Sequence, residues 1–114
     1  MADQYILVDQ DPSVKDPFKI GAMSRPTWVA YHVDGIAFVK QFLVEEGEYP
    51  DFGCNVEVYT NADMLELETL GPVTKVPPDG TVEHVERWSL HKNVRIPAWT
   101  DAELDKALLP LLGR

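Results

Sequence analysis

The stretch that decides the fold is CNVEVYTNADMLELETLGPVTKVPPDGTVEHVERWSL, which runs from Cys54 to Leu90. Apolar and charged residues alternate along it in three runs, which Gly, Pro, Asn and Asp residues separate. A period of two residues is the spacing at which side chains return to one face of a β-strand. This stretch therefore predicts antiparallel strands joined by turns.

Further runs upstream of Cys54 extend the same pattern. The Asp34-Gly35 pair lies between two apolar runs and predicts a tight hairpin turn. The acidic segment 45–53 contains Gly and Pro without periodicity and predicts a surface loop. In chain order, the predicted strands are 5–9, 18–22, 27–33, 36–44, 56–60, 64–70 and 81–91. We expect an antiparallel β-sandwich of about seven or eight strands.

The carboxyl-terminal tail has a helical pattern instead. Thr100 and Glu103 fit a capping box, in which each residue bonds a backbone N–H at the start of a helix. The helix is predicted from Asp101 to about Leu109, and Pro110 should end or kink it. We therefore expect one mainly β domain that carries a single carboxyl-terminal helix.

The predicted domain organisation has two parts within one unit. Residues 1–99 form the β-sandwich, and residues 100–114 form the helix packed on it. An apolar stripe at 104–112 needs a partner surface. Because half a sandwich would leave apolar surface uncovered, we predict a homodimer that places a sheet, or this stripe, against its own copy.

The composition excludes several classes of protein. The chain has 114 residues, 45% of them hydrophobic, and no window approaches the ~20 apolar residues that cross a bilayer. A net charge of -9 repels phosphate backbones, so nucleic acid is a poor partner. The start MADQYILVDQDP lacks the features of a secretory signal, and the single Cys54 excludes an internal disulfide. We expect an acidic, soluble, cytoplasmic protein that binds neither nucleic acid nor membrane.

Two motifs resemble a known family. They are Leu67-Glu68-Thr69, and Pro78-Asp79-Gly80 followed by Thr81-Val82-Glu83-His84 and Trp88. Both are similar to the closing strands of the galactose mutarotase-like superfamily, and the similarity covers about residues 4–94. It is closer to an uncharacterised, longer branch than to the aldose 1-epimerases. The resemblance implies the carboxyl-terminal half of a supersandwich fold.

For activity, the resemblance implies a sugar-handling site in which Glu68 is the general base. Glu66 is the alternative, because the interval between the two motifs is shorter here than in the epimerases. The general-acid histidine of the family lies in an amino-terminal half that has no counterpart in this sequence, so His84 or His32 would have to replace it. No cofactor is implied.

The two glutamates of the first motif also invite an argument from geometry. Glu66 and Glu68 are two residues apart, so their side chains share a strand face at a spacing of roughly 7 Å. At that distance each negative charge raises the pKa of the other carboxyl. The alternative interpretation is that they form the solvated outer face of an antiparallel strand.

A second polar group lies on the last predicted strand, where His84, Glu86 and Trp88 share a face. A buried Glu86 requires a counter-charge, and Lys40 interrupts the apolar run 36–44 in a similar way. We predict a structural ion pair between Lys40 and Glu86. A ligand site at the same place is the alternative.

Other reactive side chains carry weaker signals. The histidines at 32, 84 and 91 have no spacing typical of a metal site, so no metal is expected. Cys54 is predicted to pack as a small hydrophobic residue. Trp28, Trp88 and Trp99 are predicted to anchor a core or an interface, whereas an exposed tryptophan beside Glu68 would indicate sugar stacking.

Three functions follow as hypotheses. The first is a non-catalytic or weakly catalytic module that binds a small carbohydrate. The second is an aldose epimerase assembled across a dimer, and the third is a structural or interaction protein without a ligand. The candidate catalytic residues are Glu68 and His84, and the candidate substrate-binding residues are Glu66, Glu86, Lys40 and Trp88.

Overall fold

A computed structural model describes residues 4–113 and is mainly β. The strands are β1 (Phe18–Ala22), β2 (Trp28–Val33), β3 (Ile36–Gln41), β4 (Val56–Thr60), β5 (Leu65–Thr69) and β6 (Arg87–His91). A short turn, α1 (Pro50–Gly53), precedes β4, and the helix α2 (Asp101–Leu108) continues into a 3-10 turn, Leu109–Leu112. No helix within this part of the chain is long and apolar enough to cross a bilayer.

The strands form two antiparallel three-stranded sheets. Sheet 1 has the order β1-β4-β5, and sheet 2 has the order β2-β3-β6. The predicted antiparallel sandwich with one carboxyl-terminal helix is therefore confirmed, with six strands in the described residues rather than seven or eight.

Three predicted strands differ from the structure. The strand predicted over 36–44 ends at Gln41. The segment 5–9 forms no strand, and at its start the Tyr5 hydroxyl donates to Asp105 of α2, next to the Gln4 amide, which donates to Asp101. The strand predicted over 81–91 is confined to β6. Its partner β3 ends at Gln41, which pairs with Arg87, so residues 81–86 have no ladder to join.

The β2–β3 hairpin follows the sequence closely. Asp34 and Gly35 are the two loop residues, and both have positive φ, 51° and 75°. This mirror-image turn matches the twist of the strands it joins, and Asp and Gly are the residues that adopt it most easily. The predicted tight turn is confirmed.

The helix covers one face of sheet 2. The Thr100 hydroxyl accepts a hydrogen bond from the Glu103 amide at 3.4 Å, as the capping box predicts. Pro110 lies in the 3-10 turn that ends the helix. On the side toward the sheet, the buried residues include Ala37, Val39, Leu104, Leu108 and Leu112. Leu104, Leu108 and Leu112 of the leucine stripe are thus buried within this chain, whereas Leu109 is 45% exposed. The homodimer stays a prediction.

The opposite face of sheet 2 is turned toward sheet 1, and the two sheets are not closely packed. A cavity of about 880 Å³ lies between them. The radius of gyration is 15.6 Å, whereas a compact domain of this length has about 13 Å. The tightest packing therefore lies between sheet 2 and the helix, and the space between the sheets remains open.

Candidate functional site

Thr69, the last residue of β5, joins two of the predicted site residues. Its hydroxyl donates a short hydrogen bond to Oε2 of Glu86 and lies 2.7 Å from Nε2 of His84. A threonine hydroxyl has one hydrogen. Because that hydrogen is given to Glu86, Nε2 of His84 must carry a proton and donate to Thr69. The cluster therefore assigns the tautomer of this histidine.

Glu86 is bonded through both of its oxygens. Oε1 accepts from the indole N–H of Trp88 at 2.9 Å, and Oε2 lies 3.6 Å from Nζ of Lys40. Lys40 also donates to the backbone carbonyl of Leu67, at 2.6 Å. The predicted ion pair between Lys40 and Glu86 is confirmed, and both side chains are mostly buried, with 13% and 20% exposed.

The local structure explains why these side chains meet. Lys40 pairs directly with Trp88 across β3 and β6, so the two side chains are neighbours on one face of sheet 2. Glu86 immediately precedes β6. Thr69 and Leu67 alternate with Glu68 along β5, which places the threonine on the face of sheet 1 that is turned toward sheet 2.

Trp88 gives the cluster an exposed aromatic surface. Its side chain is 64% exposed, and the ring meets Phe38 edge-on, with centroids 5.5 Å apart. Nζ of Lys40 lies 5.5 Å from the Trp88 centroid, within cation–π range. A pocket of about 370 Å³ adjoins the ring and is lined by Tyr31, Phe38, Lys40, Leu65, Leu67 and Trp88. We call Lys40, Thr69, His84, Glu86 and Trp88 the Thr69 cluster.

The charge of Glu86 is stabilised by its neighbours. Burial raises the pKa of Glu86, but hydrogen bonds from Thr69 and Trp88 and the charge of Lys40 together outweigh burial. The pKa of this carboxyl therefore lies below its ordinary value of 4.5. At neutral pH the site presents a carboxylate and an ammonium side by side, which can accept and donate hydrogen bonds to the same ligand.

Glu66 and Glu68 lie elsewhere. Glu68 pairs with Glu57 and Glu66 pairs with Tyr59, on the face of sheet 1 that is turned away from sheet 2. Glu66 is exposed and Glu68 is half-buried, as the outer-face interpretation predicts. Because Thr69 points to the other face of β5, Glu68 does not face His84 within one chain.

Sequence reasoning missed Glu57, the buried carboxylate of this outer face. It is 3% exposed, and Nζ of Lys19 lies 2.9 Å from its Oε1. The pKa of Glu57 is lowered by its contact with Asp51 and by Lys19, and the contact with Glu57 raises the pKa of Asp51. Alternation with Val56 and Val58 predicts an outward Glu57. Its burial comes from turn α1, and a turn of this kind leaves no periodic pattern in the sequence.

The remaining candidates have structural partners. Nε2 of His32 lies 2.8 Å from the Val94 carbonyl, and Nε2 of His91 lies 2.9 Å from the Ser89 hydroxyl. Cys54 is half-buried and donates to the Asp51 carbonyl. Between residues 4 and 113, no three His, Cys, Asp or Glu side chains are arranged to hold a metal ion.

The structure thus brings together four of the six predicted site residues, namely Lys40, His84, Glu86 and Trp88. It adds Thr69 and the aromatic residues Tyr31 and Phe38, which the prediction left out. The period of two already places Phe38 on the face of Lys40, and Thr69 opposite Glu68. That signal was sufficient to find Phe38, whereas Thr69 also depends on which face of sheet 1 is turned inward.

Comparisons of the chain with models of protein families, with curated proteins and with solved structures found no match.

Proposed function

We propose that this protein is a carbohydrate-binding module, and that the Thr69 cluster binds one small neutral sugar. The observation that carries the proposal is the exposed Trp88 ring beside a Lys40–Glu86 pair. A pyranose has an apolar C–H face and a rim of hydroxyl groups. An aromatic ring with a donor and an acceptor at its edge matches both features.

The polar groups have capacity left for a ligand. An ammonium has three hydrogens and a carboxylate about four lone-pair positions. Lys40 uses its hydrogens on the Leu67 carbonyl and on Glu86, and Glu86 accepts from Thr69, Trp88 and Lys40. One hydrogen of Lys40 and one lone pair of Glu86 remain for two sugar hydroxyls.

The charge of the site favours a neutral sugar. The Lys40 ammonium is compensated by the Glu86 carboxylate 3.6 Å away, so no cation is free for an acidic sugar.

Binding is a better proposal than epimerisation. Mutarotation requires a base and an acid on the same sugar, whereas Glu68 and His84 lie on opposite faces of β5. The resemblance to the mutarotase-like superfamily is compatible with sugar binding, because Thr69, His84 and Trp88 belong to the motifs that carry it.

The test is a titration of the ¹⁵N-labelled protein with glucose, galactose and mannose, followed by NMR. We expect millimolar binding that shifts the Trp88 indole resonance, and a loss of about tenfold in affinity for Trp88→Ala, equivalent to about 1.4 kcal/mol. Trp99→Ala is the matched control, because Trp99 packs on His32 at the other face of sheet 2. Absence of binding at tens of millimolar, or equal affinity of the two variants, would disprove the proposal.

A further inference from the structure

A larger cavity lies between the sheets beside the Thr69 cluster. Its volume is about 880 Å³, within the range of about 300–1,000 Å³ that small-molecule sites have. The wall on sheet 1 is aliphatic, formed by Ile20, Ala22, Val56, Val58, Leu65 and Leu67. Strand β2, the amino-terminal segment and Leu109 line the rest of the cavity, which is open to solvent on one side. Water inside such walls has few hydrogen-bond partners, so an apolar ligand would displace it favourably.

The polar groups of this cavity are few, and most are already bonded. The Tyr5 hydroxyl donates to Asp105 at 2.5 Å, and burial followed by this contact raises the pKa of Tyr5. Tyr5 therefore stays protonated and keeps Asp105 satisfied.

Arg25 differs from these groups. It is exposed to solvent, it is the one basic residue lining the described cavity, and no hydrogen bond or ion pair within residues 4–113 involves its guanidinium. An arginine holds a carboxylate through two parallel hydrogen bonds. Apolar walls and one unpaired guanidinium together define a ligand with an alkyl chain and a single anionic end.

We propose that this cavity binds a long-chain carboxylate, with the alkyl chain between the sheets and the carboxylate on Arg25. Each methylene that leaves water contributes favourably to such binding, whereas the hydroxyl groups of a sugar do not. The inference is independent of the carbohydrate proposal, because neither Trp88 nor Glu86 lines this cavity.

The experiment compares three probes of equal chain length, below their micelle concentrations, by calorimetry: dodecanoate, dodecanol and dodecyltrimethylammonium. Dodecanoate is expected to bind most tightly, and the ammonium compound least tightly. Arg25→Ala should weaken dodecanoate binding about tenfold without affecting dodecanol. Lys92→Ala, at an exposed position outside the cavity lining, is the matched control.

Two further variants locate the bound chain. Val58→Phe fills the middle of the sheet 1 wall and should abolish binding of dodecanoate, with circular dichroism confirming that the variant is folded. Trp88→Ala should leave dodecanoate binding unchanged even if it removes sugar binding. Equal affinities for the three probes, full binding by the Val58→Phe variant, or a stable dimer that excludes dodecanoate would each overturn the proposal. The last outcome would assign the cavity to a second copy of the chain.

Discussion

The two sheets each carry one Lys–Glu pair, and the pairs differ in what surrounds the carboxylate. On sheet 1, Lys19 and Glu57 are 2.9 Å apart, but Oε2 of Glu57 is buried without a hydrogen-bond partner among residues 4–113. Between the sheets, Lys40 and Glu86 are 3.6 Å apart, and both oxygens of Glu86 accept hydrogen bonds. The shorter distance thus belongs to the less satisfied carboxylate. Distance alone therefore does not rank how well a carboxylate is satisfied.

We expect the largest effect on stability when the lysine of each pair is replaced. Lys19→Met leaves Glu57 without its cation, and we expect the larger loss in the free energy of unfolding here, because Oε2 of Glu57 has no other hydrogen-bond partner among the described residues. Lys40→Met should cost only about 2 kcal/mol, because Glu86 keeps Thr69 and Trp88. Urea unfolding measures both, with Lys75→Met as the exposed control. A larger loss for Lys40→Met would reverse our ranking of the pairs.

Asp51 of turn α1 contacts Glu57, and Gly21 makes room for Cys54, the residue that follows this turn. A Cβ added at Gly21 would lie 2.6 Å from Sγ of Cys54. Gly21→Ala should therefore destabilise the protein by about 1–3 kcal/mol. Cys54→Ala removes the clashing sulfur, so the double variant should recover part of this loss in thermal unfolding. Strict additivity of the two substitutions would show that the contact does not act.

Thr69 tests the Lys40–Glu86 pair by removing a hydrogen-bond donor to Glu86 while its lysine stays in place. Thr69→Val keeps the shape but removes the hydroxyl that joins His84 to Glu86, and we expect a loss of about 1–2 kcal/mol in stability together with weaker sugar binding. Thr69→Ser keeps the hydroxyl and serves as the control. If the serine and valine variants bind sugar equally, the hydroxyl does not organise the site.

We expect the smallest effect in the pH dependence of unfolding, which distinguishes the two Lys–Glu pairs in acid. The folded-state pKa of Glu86 lies below 4.5, so its stabilisation is complete above that pH and is lost as the pH falls through the lowered value. Around the Lys19–Glu57 pair, two opposite effects on the pH dependence of stability combine. The lowered pKa of Glu57 acts in the same way as that of Glu86, whereas the raised pKa of Asp51 favours the folded state in acid. Glu86→Gln should flatten the pH dependence of unfolding below 4.5 more than a Glu57→Gln, Asp51→Asn double variant does. An unchanged slope for Glu86→Gln would contradict this.

Local patterns were enough to predict much of the fold. The hairpin at Asp34-Gly35, the helix capped by Thr100 and the Lys40–Glu86 pair all depend on period, turn chemistry or charge balance. The same reasoning failed for the segment 5–9, because a strand forms only where the backbone of a neighbouring strand is available for hydrogen bonds. No sequence pattern indicates that Tyr5 bonds to Asp105 of α2 instead.

The site was predicted in part for similar reasons. Alternation places Lys40, Glu86 and Trp88 correctly, since each is on a regular strand or next to one. It says nothing about which sheet face is turned inward, and this decides that Glu68 is outside and Thr69 inside. The burial of Glu57 depends on a turn with left-handed residues, Asp51 and Phe52, which has no period to read.

The Asp34-Gly35 hairpin also constrains the order in which the chain folds. Its strands β2 and β3 are adjacent in sequence, whereas β1 must pair with β4 across the whole of that hairpin, as Phe18 does with Thr60. Closing the longer loop costs more chain entropy, so the β2–β3 hairpin should form before β1 pairs with β4. Stopped-flow kinetics would record this as slower refolding for Ala30→Gly and mainly faster unfolding for Ile20→Ala, in β1. The reverse pattern would place the nucleus in the β1–β4 pairing.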